Sequence, residues 1–163
     1  MAKDKVPVTP AVRVLRTEKV AFTSHLYVYE EKGGTAVCAR ELGFSEHAII
    51  KTLVMEDDKE NSLIVLMHGD RQVSTRELAR LLGVKSIVPC AAEKASRLTG
   101  YLVGGTSPFG TKRFFPVYME ETILSLPRIY INGGKRGFLI GISPRDVEKV
   151  LKPVLVHVAT QID

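Results

Sequence analysis

Lys51–Glu56 (KTLVME) and Ser62–His68 (SLIVLMH), separated by the charged stretch Asp57–Asn61 (DDKEN), decide how the rest of the chain is read. Both outer runs are apolar and of strand length. The residues between them, Asp57, Asp58, Lys59, Glu60 and Asn61, are costly to bury and favour a turn. A β-hairpin is therefore expected, and the flanking elements must build onto it.

Working towards the N-terminus, Ser45–Ile50 reads as one helical turn capped by Ser45, and Thr35–Leu42 as a helix ended by Gly43 after the break at Gly33-Gly34. Ala21–Tyr29 has the β-branched and aromatic content of a strand. Thr9, an N-cap with Pro10 at the first helical position, opens a helix to about Thr17, with Val12, Leu15 and Val20 as a partial apolar face. Working the other way, Ser74–Leu82 is a helix: Ser74 caps it, Glu77 is placed to close a capping box, and Gly83 ends it. A short strand (Ser86–Val88), a helix (Ala91–Leu98) and a long glycine-rich loop (Gly100–Gly110) follow. Strands are expected at Phe114–Met119, Arg128–Asn132 and Gly137–Ile142, a last helix from Ser143-Pro144 to about Leu151, and an edge strand at Val154–Ala159. Helices and strands mix without strict βαβ alternation. The expected fold is α+β, one domain over residues 1–163, with a mixed, largely antiparallel sheet flanked by helices.

Composition narrows the function classes. Hydrophobic residues make up 45% and charged residues 25%, a globular mix, and no apolar run approaches the roughly 20 residues a membrane helix needs. The polar start, Met1–Pro10, has no apolar leader, so a cytoplasmic location and no membrane partner are expected. Cys38 and Cys90 form no disulfide framework. His25, His47, His68 and His157 lie at no metal-ligand spacing, so neither a metal nor a cofactor is expected. A net charge of +5 favours a polyanionic partner, with Lys112-Arg113 and Lys135-Arg136 as the basic pairs beside glycine-rich segments.

Three segments carry candidate chemistry. Lys51, with apolar neighbours on both sides, is expected to be at least half buried, where an ammonium needs an anion or polar partner. The plainer alternative is a lysine whose stem packs while its head reaches water. Gly104-Gly105-Thr106-Ser107-Pro108-Phe109-Gly110 can bring backbone amides close to a carbonyl oxygen or phosphate, or can be an ordinary turn. It lacks the GxxxxGK[ST] order of a nucleotide loop. Asn132-Gly133-Gly134-Lys135-Arg136-Gly137 reads as a tight hairpin with basic residues at its tip. Ser107 is in no GxSxG elbow, and no sequence-local histidine and acid suggest a triad, so a hydrolase built on this chain could lack a protein nucleophile.

Taken together, Thr9-Pro10-Ala11-Val12, Lys51-Thr52-Leu53, the run from Thr99 to Gly110 (TGYLVGGTSPFG) and Gly133–Gly137 (GGKRG) resemble the YbaK/EbsC family, similar to the editing domain of bacterial prolyl-tRNA synthetase. The resemblance runs from about Thr9 to about Ala159. It implies trans-editing hydrolysis of mischarged aminoacyl-tRNA, foremost Cys-tRNA(Pro), by substrate-assisted attack on the ester. The implied partners are the acceptor end of misacylated tRNA(Pro) and prolyl-tRNA synthetase. By position, Lys51, Gly104 and Gly105 become the catalytic candidates, and Thr52, Thr106, Ser107, Pro108, Lys135 and Arg136 the substrate-binding ones. Tyr27 matches a pocket tyrosine through His25-x-Tyr27, with Tyr29-Glu30 as a competing register. The chain departs from the family pattern at the short Lys32–Gly34 segment and at Leu139, where some members place an Asp; both bear on amino-acid preference. Two other classes stay open: a non-catalytic module binding aminoacyl-tRNA or a synthetase, and a protein binding a phosphorylated metabolite.

Overall fold

The hairpin is the centre of the sheet in the computed structural model, which describes residues 6–162. Met1–Lys5, part of the polar start, and Asp163 lie outside the described residues. The strands are β1 (Thr23–Leu26), β2 (Ile49–Asp57), β3 (Ser62–His68), β4 (Arg71–Val73), β5 (Ile87–Pro89), β6 (Val117–Glu120), β7 (Ile129–Asn132), β8 (Phe138–Ile142), β9 (Val154–Val156) and β10 (Ala159–Gln161). The α-helices are α1 (Pro10–Thr17), α2 (Gly34–Leu42), α3 (Thr75–Leu82), α4 (Ala92–Thr99) and α5 (Pro144–Leu151). The main sheet runs β1-β8-β7-β2-β3-β6-β9, with β5 also on β2, while β4 and β10 form a separate pair. The sheet is mixed. The hairpin pairs β2–β3 and β7–β8, together with β1–β8 and β2–β5, are antiparallel; β2–β7, β3–β6 and β6–β9 are parallel.

Alternation along β2 explains the two cores. Ile50 and Val54 point into a cluster with Val12 and Leu15 of α1, Val147 of α5, Phe109, Phe138 and Ile140. On the other face, Leu53 and Met55 pack with Leu78 of α3, and Ile49 packs with Cys38 of α2 and Leu139. Each large side chain removed from water in this way contributes about 1.5–3 kcal/mol. Lys51 shares the face of Ile49 and Leu53, which leaves it between two apolar clusters.

Local signals set most helix ends. The Thr9 hydroxyl accepts from the Val12 amide (3.1 Å), and the same hydroxyl donates to the Gly133 carbonyl (2.6 Å), tying α1 to the distant turn after β7. Ser74 accepts from the Glu77 amide (3.3 Å), as expected of a cap. The capping box does not close, because the Ser74 amide instead donates to the Val158 carbonyl (2.8 Å) and Glu77 turns to Arg80. The first strand is shorter than the Ala21–Tyr29 expectation: its ladder with β8 ends at Leu26, opposite Phe138. The expected turn at Ser45–Ile50 is a short 3-10 helix, Glu46–Ala48, and β2 already begins at Ile49. Val154–Ala159 divides: Val154–Val156 lies parallel to β6, and the chain then crosses to pair with β4, a strand too short to stand out in sequence.

Candidate active site

Lys51 is half-buried, and its Nζ donates to the Arg71 carbonyl. Burial pushes its pKa below the ordinary lysine value; the Glu46 and Asp70 carboxylates pull it part of the way back. The ammonium therefore sits in a partly dry site with nearby negative charge, and both expected features of Lys51, burial and a polar partner, are present. Alternation turns Thr52 to the opposite face, where its Oγ1 is buried and meets no hydrogen-bond partner among the described residues.

Around Lys51 lies a cluster that no sequence signal announced. His47 Nδ1 is 2.8 Å from Asp70 Oδ1, and Arg71 Nη1 is 3.3 Å from Asp70 Oδ2. Burial opposes ionisation of Asp70, but the hydrogen bond and charge of His47 and the charge of Arg71 hold its pKa below the ordinary carboxylate value. The Thr35 hydroxyl donates to Glu46 (2.7 Å) and lies 3.2 Å from the Gly69 carbonyl, joining α2 to the same corner. The His47 and His68 rings stack at 3.7 Å. His68 Nδ1 donates to the His47 carbonyl (2.7 Å), and its Nε2 meets the Thr122 hydroxyl (2.8 Å); burial lowers its pKa and favours the neutral ring. His47, His68 and Asp70 bring ligand-type atoms within 4.8 Å of one another. Both His68 nitrogens are engaged by the protein, and a cationic lysine is adjacent, so the chemistry of the trio suits a hydrogen-bonded cluster better than a metal.

The glycine loop is built to be close-packed. At Gly105, a Cβ would lie 2.7 Å from the Arg136 backbone nitrogen and 2.8 Å from the Lys135 carbonyl carbon. At Gly104, φ is +98° and a Cβ would meet the Tyr29 hydroxyl at 2.5 Å. The loop thus lies directly on the Gly133–Gly137 turn. Thr106, Ser107 and Pro108 are buried; the Ser107 hydroxyl accepts from the Phe109 amide (3.2 Å), and Thr106 bonds the Leu102 carbonyl (3.4 Å). Their side chains hold the loop's shape. The Gly105 amide is also committed, to the Leu102 carbonyl (2.9 Å). Tyr101 fixes the far end, its hydroxyl donating to the Phe109 carbonyl at 2.6 Å.

The glycine loop and β2 are linked through β7. The parallel pairing of β2 with β7 ends at Ile50↔Ile131, one residue before Lys51 on β2 and one before Asn132 on β7, and Asn132 leads into the turn that supports Gly105. Lys135 and Arg136 are exposed on that turn; Arg136 donates from Nε to the Val103 carbonyl (2.9 Å) and lies over the Tyr29 ring, 5.0 Å from its centroid. Of the two tyrosines, Tyr29 is therefore the one against Gly104. Tyr27 packs on the Cys38 side, where burial and a hydrogen bond to Cys38 push its hydroxyl pKa up. Leu139 is buried beside Cys38 and Ile49, so the family's alternative Asp position is apolar core here.

A mixed sheet carrying a half-buried lysine on one strand, with a tightly supported glycine loop beyond the end of its neighbour, defines an α+β domain. The chain belongs to the aminoacyl-tRNA editing domain family, whose model matches residues 30–150. It is 28% identical, over 99% of both chains, to EbsC of Enterococcus faecalis, assigned as a Cys-tRNA(Pro)/Cys-tRNA(Cys) deacylase. It is 30% identical over 69% of its length to the proline–tRNA ligase of Thermodesulfovibrio yellowstonii, of which it spans 18%. The fold matches a crystal structure of the protein APE2540 (TM-score 0.85, 24% identity, 93% of this chain and 100% of that one). It also matches one assigned as a trans-editing enzyme for prolyl-tRNA synthetase (TM-score 0.80, 21% identity, 94% and 99%).

Proposed function

We propose that the whole chain acts as one free-standing editing domain, hydrolysing the ester of a mischarged tRNA, foremost Cys-tRNA(Pro), in the cytoplasm. The observation that carries this reading is the placement of Lys51: a half-buried ammonium on β2 just past its pairing with β7, the strand that runs on into the Gly133–Gly137 turn under the glycine loop. Lys51 supplies positive potential for the terminal adenosine and the ester. The ester carbonyl lies against amides of the Gly104 loop other than the committed Gly105 N–H, and these stabilise the developing oxyanion. Tyr29, Lys135 and Arg136 line the mouth. Attack comes from a water positioned by these groups and the ribose 2′-hydroxyl, releasing free amino acid and tRNA, or from the substrate's own thiol, which expels the tRNA 3′-oxygen as its hydroxyl and leaves a cyclic thiolactone for water to open. Much of the rate arises from proximity.

Discrimination between amino acids differing by a methylene is worth only about 1–3 kcal/mol, so the pocket separates small residues modestly. Prolyl-tRNA synthetase is the proposed partner supplying the misacylated tRNA. The membrane plays no part in this reading, and among the described residues no helix is long and apolar enough to cross one.

The test is the deacylation rate of cysteinyl-, alanyl-, seryl- and prolyl-tRNA(Pro) with the wild type and Lys51→Ala. Rapid loss of a non-prolyl substrate that disappears in folded Lys51→Ala is the expected result. Spontaneous rates throughout would overturn it and leave a tRNA-binding module as the better reading.

A further inference from the structure

The stretch Lys94–Arg145 holds eight basic residues and only two acids, Glu120 and Glu121, of which Glu120 is fully buried. Within it, Lys112, Arg113 and Phe114 form a solvent-facing strip just after the glycine loop. Phe114 is 91% exposed, while the adjacent Phe115 is buried. The strip is not a loose loop tip. The Lys112 amide donates to the Thr99 carbonyl (2.9 Å), the Arg113 amide to the Leu98 carbonyl (3.1 Å), and the Thr111 hydroxyl to the Arg113 carbonyl (2.7 Å), which rivets it to the end of α4. Neither Lys112 nor Arg113 forms an ion pair among the described residues.

A chain of contacts runs from this strip towards the glycine loop. Lys112 Cβ lies 3.4 Å from where a Gly100 Cβ would be, and the exposed Leu102 and Val103 follow in the chain. The Val103 carbonyl receives Arg136, which covers Tyr29, which abuts Gly104. We propose that Lys112-Arg113-Phe114 is the landing strip for the unpaired 3′ end of the tRNA, with Phe114 stacking on a base and the two cations on flanking phosphates. This assignment rests on the editing reading above. A rigidly presented aromatic beside unpaired cations, in a stretch almost free of accessible acid, is the chemistry that recognises single-stranded nucleic acid: every base offers a π-face, and every linkage a negative charge. An acidic protein partner would use the cations but gives no reason for a lone, fully presented ring.

The experiment compares two substrates carrying the same amino acid: a CCA-ended stem-loop RNA and aminoacyl-adenosine. Phe114→Ala should raise KM for the stem-loop about 5- to 100-fold, leave kcat unchanged and leave aminoacyl-adenosine hydrolysis unaltered, with Phe114→Trp restoring KM. Lys112→Ala/Arg113→Ala should flatten the dependence of log KM on log salt by about 0.7 for each phosphate that is no longer neutralised. In parallel, equilibrium binding of a fluorescent, unacylated CCA-ended stem-loop needs no catalysis, and Phe114→Ala should weaken it by a similar factor. Unchanged RNA binding in Phe114→Ala, or equal effects on both substrates, would overturn the proposal. Binding that weakens as expected while the wild type hydrolyses nothing would retain the strip and overturn the hydrolytic reading alone.

Discussion

Replacing Gly105 with alanine tests the loop at its tightest point. The new Cβ would sit 2.7 Å from the Arg136 nitrogen, 2.8 Å from the Lys135 carbonyl carbon and 3.1 Å from Lys135 Cα, all backbone atoms. That turn cannot yield easily: the Thr9 hydroxyl holds the Gly133 carbonyl, and the Gly133 amide is bonded to the Phe138 carbonyl (3.0 Å). The loop must retreat until the closest approach grows from 2.7 Å to the 3.4 Å of ordinary van der Waals separation. Misplacing a reacting group by 1 Å costs on the order of 100-fold in rate, so a retreat of this size predicts a kcat lowered about 10- to 100-fold. The accompanying loss of stability is about 1–3 kcal/mol, the usual cost of overpacking. Single-turnover deacylation at saturating enzyme measures the first effect and thermal unfolding the second. Gly83→Ala is the control: φ there is +70° with open space around it, so it loses about 1–2 kcal/mol from the left-handed backbone but keeps its rate. A folded Gly105→Ala enzyme within 3-fold of wild type would refute the claim that the loop stabilises the transition state.

Two more predictions concern the polar cluster and the buried carboxylate. Asp70 raises the pKa of Lys51, so Asp70→Asn should lower it further. If the cation is the active form, the alkaline fall of kcat then moves to lower pH; a pH–rate profile corrected for spontaneous hydrolysis checks this, and an unmoved limb would count against a role for the Lys51 charge. Glu120, fully buried, accepts from the Val158 and Ala159 amides (2.7 and 2.8 Å), so Glu120→Ala strands both donors. A loss of about 2–5 kcal/mol in denaturant unfolding is expected.

Much of this molecule was legible in its residues because the deciding signals are local. The charged turn between two apolar runs specifies the β2–β3 hairpin, Thr9 and Ser74 announce helix starts, and Gly43 and Gly83 announce helix ends, since each of these acts within a few residues of itself. Lys51 stood out for the same reason: a charge within an apolar strand has few places to go. The family resemblance rested on the Thr99–Gly110 run, which is contiguous.

Tertiary structure decided what depends on partners far apart in the chain. Strands β4 and β10 are too short to be stable alone and exist because each completes the other. The Ser74 amide chose Val158 over Glu77, which no local rule could foresee. The sequence favoured Tyr27 through His25-x-Tyr27, with Tyr29 as the competing register, whereas the three-dimensional path after β1 sets Tyr29 against Gly104 and Tyr27 beside Cys38. His47 and Asp70, 23 residues apart, meet beside Lys51 only because β3 brings the chain back antiparallel to β2. Sequence specifies short-range choices directly; the surroundings of Lys51 come from sheet register, which is a property of the whole fold.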